Sequence, residues 1–395
     1  RSLDLDNFKA INDGYGHAAG DQLLREVARR LKSQLRSEGV LARLGGDEFM
    51  VLLVGENAAR ARFWSEQILA ALSIPFKHDG LALDFGASVG IALYPDDAQT
   101  GDDLMRFADM AMYSAKGQGR GHAVFFEPAM GKEMAERVQL AERLRMALSY
   151  GGLQLHYQPQ VDVAQGKLLG YEALLRWHNP VLGHVSPVEF IPLAEEMGLI
   201  REIGSWVLST ALAQMAHWQR EWRVNVPVSV NLSGFQLSSA LPELVAQQLK
   251  EFGVAASLLT LELTETVLML DMKGCIEILD ALSAQGIKIA IDDFGTGYSS
   301  LAYLNRLPID TIKLDRSFVV GLNLPVIRAT VAMATSLGLG IMAEGVEDEH
   351  ELAALRTQGC HVFQGFLFSK PMTVAQVEES QFMVSCKAGC YPLAG

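Results

Sequence analysis

The amino-acid sequence predicts a chain of the α/β class with two domains, the second of them a (β/α)8 barrel with one reversed strand. The chain has 395 residues, which is more than one hydrophobic core of ordinary size contains. Hydrophobic residues make up 49% of the chain and charged residues 20%, as in globular proteins. From residue 151 onward, apolar strand-like runs alternate with segments of helix length, which is the pattern of a barrel.

Residues 1–127 mix strands with amphipathic helices, which predicts a first domain of the α+β kind. In two of its segments, apolar residues recur at the spacing of one helix face. Two apolar runs are joined by Gly45-Gly46-Asp47-Glu48, and glycines in a short connector predict a β-hairpin. The predicted elements are helices over 20–35 and 102–116, hairpin strands over 40–44 and 49–54, and a further strand over 84–94.

Residues 128–150 are charged and helix-forming, and we predict a linker helix that ends at Gly151 and Gly152. A barrel domain is predicted over 151–383, followed by a tail over 384–395. Its eight strand-like runs are 153–158, 168–175, 226–232, 258–263, 287–291, 311–314, 340–343 and 362–368. Only residues 162–167 separate the first two runs, whereas a parallel crossover needs about a dozen residues or more. The first two strands are therefore predicted to be antiparallel.

The net charge and the cysteines exclude several classes of protein. A net charge of −13 argues against binding to nucleic acid or to an anionic membrane surface. It does not exclude an anionic substrate, because divalent cations held by carboxylates invert the local charge. The chain has no membrane-spanning segment and its four cysteines form no CxxC pair, so a cytoplasmic location is expected. Because Arg1 is not a methionine, we expect a longer protein with sensor or membrane regions upstream.

Acidic and amide side chains recur at the ends of the strand-like runs in the barrel. They are Glu172, Asn231, Glu262 with Glu265, Asp292 with Asp293, Lys313 with Asp315, Glu344 with Glu347, and Gln364. Any one of them alone is more often a cap, a turn former or a solvated carboxylate. Together they meet at one face, because the C-terminal ends of barrel strands form the face where active sites are built. Grouped carboxylates repel one another unless a cation is present, so the set predicts a metal site.

The ligand types suggest which metal the site holds. All candidate ligands are hard oxygen donors and no histidines form a metal-spaced pair, which favours Mg²⁺ or Mn²⁺ over zinc. Asp292 and Asp293 are adjacent, so they are able to bridge one ion and bind a second, and two ions suit in-line attack on a phosphodiester. Lys313 is a candidate to position or deprotonate the attacking water, and its alternative role is a salt bridge to a neighbouring carboxylate.

The barrel sequence resembles a known family. Glu172-Ala173-Leu174-Leu175-Arg176-Trp177 is similar to the signature of EAL-domain cyclic-di-GMP phosphodiesterases, and the resemblance extends over about 151–383. It also includes Asn231-Leu232-Ser233, Glu262-Leu263-Thr264-Glu265, the stretch 292–300, Ile312-Lys313-Leu314-Asp315, Ala343-Glu344-Gly345-Val346-Glu347 and Gln364-Gly365-Phe366. The fold of this family is a modified TIM barrel with one antiparallel strand.

The resemblance implies a role for each of these positions. The first metal would be held by Glu172, Asn231, Glu262 and Asp292, and the second by Asp292, Asp293 and Glu344. Lys313 would act on the attacking water, and Glu265 would anchor a loop that begins at Asp293 and couples dimerisation to catalysis. Arg176 would contact the substrate phosphate, while Gln364 and Asp315 would support the substrate site. The product would be the linear dinucleotide pGpG.

The first domain resembles a GGDEF diguanylate cyclase domain. Its motifs are Asp4-Leu5-Asp6-Asn7-Phe8-Lys9, Asn12-Asp13, Gly16-His17, Gly20-Asp21 and Gly45-Gly46-Asp47-Glu48-Phe49. The resemblance implies that Asp4 and Asp47 hold Mg²⁺ on GTP, and that Asn12 and Asp21 bind the guanine edge. Four further groups of residues would bind the rest of the nucleotide: Gly45 with Gly46, Glu48, Lys116 and Arg120. Only three residues precede Asp4, so the resemblance also implies a truncated domain that lacks preceding helices and most of one strand.

Three functions are consistent with these motifs. The first is hydrolysis of cyclic-di-GMP by the barrel, with GTP at the first domain as a regulator. The second is a homodimeric cyclase that makes cyclic-di-GMP from two GTP molecules and uses the barrel only as a modulator. The third is a receptor that binds GTP or cyclic-di-GMP without turnover. Degenerate metal ligands would favour the receptor, and the barrel motifs have none.

Overall fold

The computed structural model describes residues 2–6, 8–35, 39–78, 80–270, 272–295, 304, 306–380 and 382. The chain divides into two compact units, Arg1–Gln139 and Leu140–Gly395. The predicted tail over 384–395 and residues 296–300 of the stretch 292–300 lie outside the described residues. No helix in the described part of the chain is long and apolar enough to cross a membrane.

Unit 1 contains a five-stranded sheet and a separate two-stranded hairpin. Its strands are β1 (Ser2–Asp6), β2 (Gly39–Gly45), β3 (Glu48–Leu53), β4 (Phe76–His78), β5 (Leu81–Leu83), β6 (Gly86–Ile91) and β7 (Ala123–Phe125). Its helices are α1 (Phe8–Tyr15), α2 (His17–Leu35), α3 (Ala58–Leu72) and α4 (Gly101–Gly117). The predicted hairpin, the 84–94 strand and both predicted helices are present, and α2 begins three residues earlier than expected.

The large sheet has the order β2-β3-β1-β6-β7, so β1 is its central strand. β1 is buried along its length and pairs antiparallel with β3 and with β6. Leu3 and Leu5 on β1 pack in one hydrophobic core with Leu23 and Val27 of α2. The short first strand is therefore a full member of the sheet, and it carries Asp4 at its centre.

Unit 2 contains the predicted barrel, which α5 (Pro128–Tyr150) leads into from unit 1. The strands are β8 (Leu153–Asp162), β9 (Lys167–Asn179), β10 (Gly183–Val185), β11 (Val228–Asn231), β12 (Leu259–Thr264), β13 (Lys288–Phe294), β14 (Thr311–Leu314), β15 (Gly340–Ala343) and β16 (Val362–Phe363). The helices are α6 (Pro187–Glu196), α7 (Ile200–His217), α8 (Leu241–Phe252), α9 (Glu265–Leu270), α10 (Met272–Ser283), α11 (Arg316–Val320), α12 (Leu324–Leu337), α13 (Glu349–Thr357) and α14 (Val374–Glu379). All eight predicted strands are present.

The barrel closes through β8. The strands follow the order β9-β11-β12-β13-β14-β15-β16-β8, and β8 also pairs with β9, while β10 lies outside the ring. β9 and β11 to β16 run parallel, whereas β8 is antiparallel to both of its neighbours. The predicted reversed strand is thus confirmed. Because β8 is reversed, it begins on the side where the other strands end, and Gln158 in its middle pairs with Glu172.

Candidate functional site

Four carboxylates from four parts of the barrel surround one lysine. Glu172 lies on β9, Glu262 on β12 and Asp292 on β13, and Glu344 directly follows β15. Lys313 lies between them on β14, with only 1% of its side chain exposed. The rhythm of strands and helices explains this convergence, because seven parallel strands end at one rim.

The lysine ammonium contacts every one of these carboxylates. Its Nζ lies 2.6 Å from Glu262 Oε2 and 2.5 Å from Glu344 Oε1. It lies 3.3 Å from Asp292 Oδ2 and 3.7 Å from Glu172 Oε2. The alternative role of Lys313, a salt bridge to a neighbouring carboxylate, is therefore present in this structure. Four acidic groups face one positive charge, so further cations at the cluster would balance the excess of acidic groups.

Two groups of carboxylates in this cluster have the spacing of metal ligands. The first group is Glu172, Glu262 and Asp292, and the second is Asp292, Asp293 and Glu344. Within each group, one oxygen atom from each residue lies within 4.8 Å of the others. Asp292 belongs to both groups, so one carboxylate is placed to bridge two ions. These are the carboxylates that the sequence assigns to the two metals.

Burial raises the pKa values of three carboxyl groups at this site, Glu262, Glu344 and Asp293. Desolvation raises the pKa of Glu262 to about 8 against the opposing charge of Lys313, and Glu172 and Asp292 add to the increase. The pKa of Glu344 is also raised well above its usual range, mainly by burial. Burial, then the charges of Asp292 and of Asp315, raise the pKa of Asp293 to about 6. A cation at these oxygens would therefore compete with the protons that burial favours.

Two side-chain amides donate hydrogen bonds to the carboxylate of Glu172. Asn231 Nδ2 donates to Glu172 Oε1 at 2.6 Å, and Gln364 Nε2 donates to Glu172 Oε2 at 2.5 Å. Because the Nδ2 of Asn231 faces Glu172, its Oδ1 remains the atom that is able to bind a cation. The structure thus brings Asn231 and Gln364, both predicted from the sequence, against the same carboxylate.

Two further amides of this site were missed from the sequence. Gln158 and Gln160 on β8 are buried inside the barrel and form hydrogen bonds with Gln364. The sequence prediction places site residues at the C-terminal ends of strands, and in the reversed strand that end lies away from the site. One signal in the sequence could have found them. It is the presence of two glutamines at alternate positions of a strand that is otherwise largely buried.

Asp293 belongs to the second carboxylate group, and Asp315 lies next to it. Asp293 adopts a left-handed backbone with φ of 52°, and its amide donates to Asp292 Oδ1 at 2.9 Å. The side chain of Asp315 is hydrogen-bonded to Asp293 and accepts from the amide of Ser317, at the start of α11. Asp315 therefore has a structural role as a helix cap next to the predicted site.

The first described residues of the loop after β13 are held by Glu265. Glu265 Oε2 accepts a hydrogen bond of 3.0 Å from the amide of Gly295. Gly295 has φ of +97°, and a Cβ there would lie 2.9 Å from the ring of Phe318. Glycine is therefore required where the loop leaves the strand. The contact is in keeping with the predicted anchoring role of Glu265, while most of the loop lies outside the described residues.

A pocket of about 310 Å³ adjoins the carboxylates, with Arg176, Asn231 and Glu262 among its lining residues. Arg176 is half-buried and its Nη1 donates to the carbonyl oxygen of Leu175 at 2.9 Å. Burial lowers the pKa of Arg176, and the charge of Glu172 partly offsets this effect. A guanidinium in such a pocket is suited to bind a phosphate.

A second contact missed from the sequence joins α6 to the segment after β11. Ser233 Oγ donates to Glu195 Oε1 at 2.6 Å, and the Ser233 amide donates to Gln236 Oε1 at 3.0 Å. Ser233 follows the predicted ligand Asn231 by two residues, so this contact fixes the backbone that presents the ligand. No sequence signal links Glu195 with Ser233, because 38 residues separate them.

In unit 1, the predicted nucleotide residues lie on β1, on the β2–β3 hairpin, on the helices α1, α2 and α4, and in the loop after α4. Lys116 Nζ lies 2.8 Å from Asp4 Oδ1, and burial raises the pKa of Asp4 against the influence of Lys116. Asp47 and Glu48 are close enough to add to that increase. Among the described residues of unit 1, no three carboxylate, histidine or cysteine ligands come within 4.8 Å of one another. Any cation there would need further ligands, such as phosphate oxygens.

The remaining predicted residues of unit 1 lie on several different elements. A Cβ at Gly20 would lie 2.0 Å from Asn12 Oδ1, so Asn12 packs directly on α2. Asp21 lines a cleft of about 350 Å³. The β2–β3 turn contains Gly45 and Gly46, where Gly46 has φ of +48°. Arg120 is exposed and has φ of 62°, in a loop separate from the Lys116 contact.

Asp6 connects that loop to the sheet, although no role was predicted for it from the sequence. Asp6 Oδ2 accepts from the amide of Gly121 at 3.1 Å, and Asp6 Oδ1 accepts from Ser88 Oγ at 2.8 Å. Asp6 lies two residues after Asp4 on the same face of β1. It therefore fixes the glycine-rich segment 119–121 relative to the strand that carries Asp4.

Comparisons with known proteins agree with this architecture. The family model described as "EAL domain" matches residues 141–371, and the one described as "Diguanylate cyclase, GGDEF domain" matches residues 2–122. The bifunctional diguanylate cyclase/cyclic di-GMP phosphodiesterase MucR of Pseudomonas aeruginosa is 45% identical over 381 residues, covering 95% of this chain and 56% of MucR. The cyclic di-GMP phosphodiesterase PdeR of Escherichia coli is 41% identical over 382 residues, covering 95% of this chain and 58% of PdeR.

A solved structure also resembles unit 2. The structure named PaMucR phosphodiesterase, c-di-GMP complex, is 44% identical, with a TM-score of 0.59. The match covers 60% of this chain and 99% of that chain. In contrast, the chain spans little more than half the length of the two curated relatives.

Proposed function

The chain belongs to the EAL-domain family, with a GGDEF domain ahead of its barrel, and from this we propose that the barrel hydrolyses cyclic-di-GMP to linear pGpG with two divalent cations. The observation that carries the proposal is the pair of carboxylate groups that share Asp292 at the barrel rim. Two EAL relatives, MucR and PdeR, are named as cyclic-di-GMP phosphodiesterases, which supports the substrate.

The residues present fit a pair of hard divalent cations. EAL phosphodiesterases are metal-dependent, and here buried carboxylates whose pKa values are raised gather around shared oxygen positions. Glu172, Asn231, Glu262 and Asp292 would hold the first cation, and Asp292, Asp293 and Glu344 the second. Oxygen donors of this kind favour Mg²⁺ or Mn²⁺. When bound, such cations neutralise charge on the phosphate and increase the acidity of water.

The chain's own residues would divide the remaining work. The water oxygen bonds to the phosphorus and loses one proton, the P–O bond to one ribose O3′ breaks, and the O3′ oxygen takes up one proton. Lys313 would hold the attacking water in line as a hydrogen-bond donor, because the four carboxylates raise its pKa despite its burial. Arg176 would bind a phosphate of the substrate in the adjoining pocket.

The first unit would bind GTP with Mg²⁺. Lys116 is paired with Asp4 in this structure, and GTP would offer it a phosphate in exchange while Mg²⁺ joins Asp4 and Asp47. Asn12 and Asp21 would recognise guanine, and Gly45, Gly46, Glu48 and Arg120 would complete the site. GTP bound there would regulate the barrel. Synthesis of cyclic-di-GMP would require a homodimer, because each GGDEF domain binds one GTP.

The test is a chromatographic assay for pGpG. Purified chain is incubated with cyclic-di-GMP and Mg²⁺ or Mn²⁺, with and without GTP, and with a chelator control. The matched variants are Glu172→Gln at the site and Glu202→Gln on the exposed surface of α7. We expect chelator-sensitive pGpG from the wild type and from E202Q but not from E172Q, with a change in rate when GTP is added.

Two other outcomes would replace the proposal. Cyclic-di-GMP formed from GTP at a higher rate than pGpG would identify a cyclase whose barrel is only a modulator. Binding of cyclic-di-GMP without pGpG, in either metal, would identify a receptor.

A further inference from the structure

The reversed strand β8 brings two buried amides into the metal site. Gln158 and Gln160 alternate along β8, so both point into the barrel. They are 7% and 6% exposed, and Gln364 of the neighbouring strand end is 4% exposed. A buried amide is costly unless its donors and acceptors are paired, so a barrel interior would otherwise favour apolar side chains here.

The hydrogen bonds among these amides run in one direction. Gln160 Nε2 donates to Gln364 Oε1 at 3.1 Å. Gln364 Nε2 donates to Gln158 Oε1 at 3.1 Å and to Glu172 Oε2 at 2.5 Å. Both hydrogens of the Gln364 amide and its oxygen are therefore used. Gln158 Nε2 completes the chain by donating to the carbonyl oxygen of Ser369 at 3.0 Å.

This direction fixes which end of the Gln364 amide faces the carboxylate. An amide rotated by 180° would put its oxygen against Glu172 Oε2 and repel it. Gln160 opposes that rotation, because its NH₂ donates to the oxygen of Gln364, and a rotated Gln364 would turn its own NH₂ toward this donor. Gln160 itself has no hydrogen bond to Glu172, so its effect passes through Gln364.

We propose that Gln160 is a positioning residue that orients the metal ligand Glu172 through the amide of Gln364. The inference rests on the proposed metal site. It assigns Gln160 no contact with the substrate and no part in the chemistry. Some residues orient a metal ligand by a hydrogen bond without binding the metal themselves. Replacing such a residue usually lowers metal affinity or activity about 10-fold to 100-fold.

The experiment measures Mn²⁺ binding by calorimetry, without substrate. Gln160→Met keeps the length of the side chain but removes its NH₂, and Gln364→Met removes the amide through which it acts. We expect Q160M to weaken Mn²⁺ binding about 10-fold or more, within the range for such residues. In the Q364M background, the same Q160M change should have no further effect, because non-additivity is expected when two residues act in one chain of contacts.

The matched control is Gln165→Met, in the exposed turn between β8 and β9, which should bind Mn²⁺ as the wild type does. If Q160M does not fold, Gln160→Asn, whose amide is too short to reach, replaces it. Wild-type affinity in Q160M, or additive losses in the double variant, would overturn the positioning role alone. A wild type that binds no Mn²⁺ would overturn the proposed metal site as well, so the two failures are distinguishable.

Discussion

Replacing Lys313 by methionine tests how much the lysine contributes to the stability of the barrel. Methionine keeps most of the side-chain volume and removes the charge. The lysine Nζ lies within 3.7 Å of oxygen atoms of four carboxylates and is almost fully buried. Without it, these acidic groups lose their only cation in the described part of the cluster. They must then be protonated or bear uncompensated buried charge.

Loss of one partner from a buried ion pair costs about 3–5 kcal/mol, and we expect K313M to lower the free energy of unfolding of the metal-free barrel by that amount at pH 8. The loss should shrink as the pH falls. The pKa of Glu262 is raised to about 8, far above its unfolded value, so protonation stabilises the folded cluster at acidic pH. This stabilisation is complete below the unfolded pKa and is lost as the pH rises toward 8.

Urea unfolding followed by tryptophan fluorescence measures this effect in unit 2. Four of the five tryptophans, Trp177, Trp206, Trp218 and Trp222, belong to the barrel. The control is Lys288→Met, an exposed lysine on the neighbouring strand β13, which should change the stability by no more than about 0.5 kcal/mol. Equal stability of K313M and K288M at pH 8 would refute the reasoning, since it would mean that the carboxylates need no cation.

Three further predictions concern the metal and the loop. Glu172→Ala removes a direct ligand. It should reduce pGpG formation by more than the roughly 10-fold to 100-fold loss expected when a residue that only orients a ligand is replaced. Near-normal turnover would contradict the ligand assignment. Glu265→Ala removes the acceptor for the Gly295 amide and should lower the rate about 10-fold while Mn²⁺ affinity in calorimetry stays unchanged. Mn²⁺ affinity should rise from pH 6 to about pH 8, because Glu262 must lose its proton to bind the ion, and a flat profile would argue against this carboxylate as a ligand.

The barrel could be predicted from the sequence because, after the first two strands, segments of helix length separate the strand-like runs. The limits of individual strands were less accurate. β8 and β9 extend beyond their apolar runs, since backbone pairing in a hairpin continues past polar residues such as Asp162. β16 ends at Phe363 rather than at Phe368. A Cβ at Gly365 would lie 2.1 Å from the carbonyl oxygen of Val346, so the chain packs closely against another segment there and leaves the sheet.

The carboxylates of the site could be predicted because a parallel strand presents its last residues at the rim. Their partners required the structure. Gln158 and Gln160 lie in the one strand whose rim end is its beginning, and Glu195 lies on a helix far from Ser233 in the sequence. Hydropathy and spacing carry no information about such pairs, because a hydrogen bond between distant residues depends on how the segments pack.

The reversal of β8 also determines where the upstream chain joins the barrel. In a barrel of eight parallel strands, the chain enters at the end opposite the active site. Here Gly151 and Gly152, at φ of +95° and +127°, lead into β8 beside Trp177, near the C-terminal end of β9. The chain before Leu153 therefore leads directly into the strand that carries Gln158 and Gln160. A shift of β8 by one residue, about 3.4 Å, would turn the side chains of Gln158 and Gln160 out of the barrel.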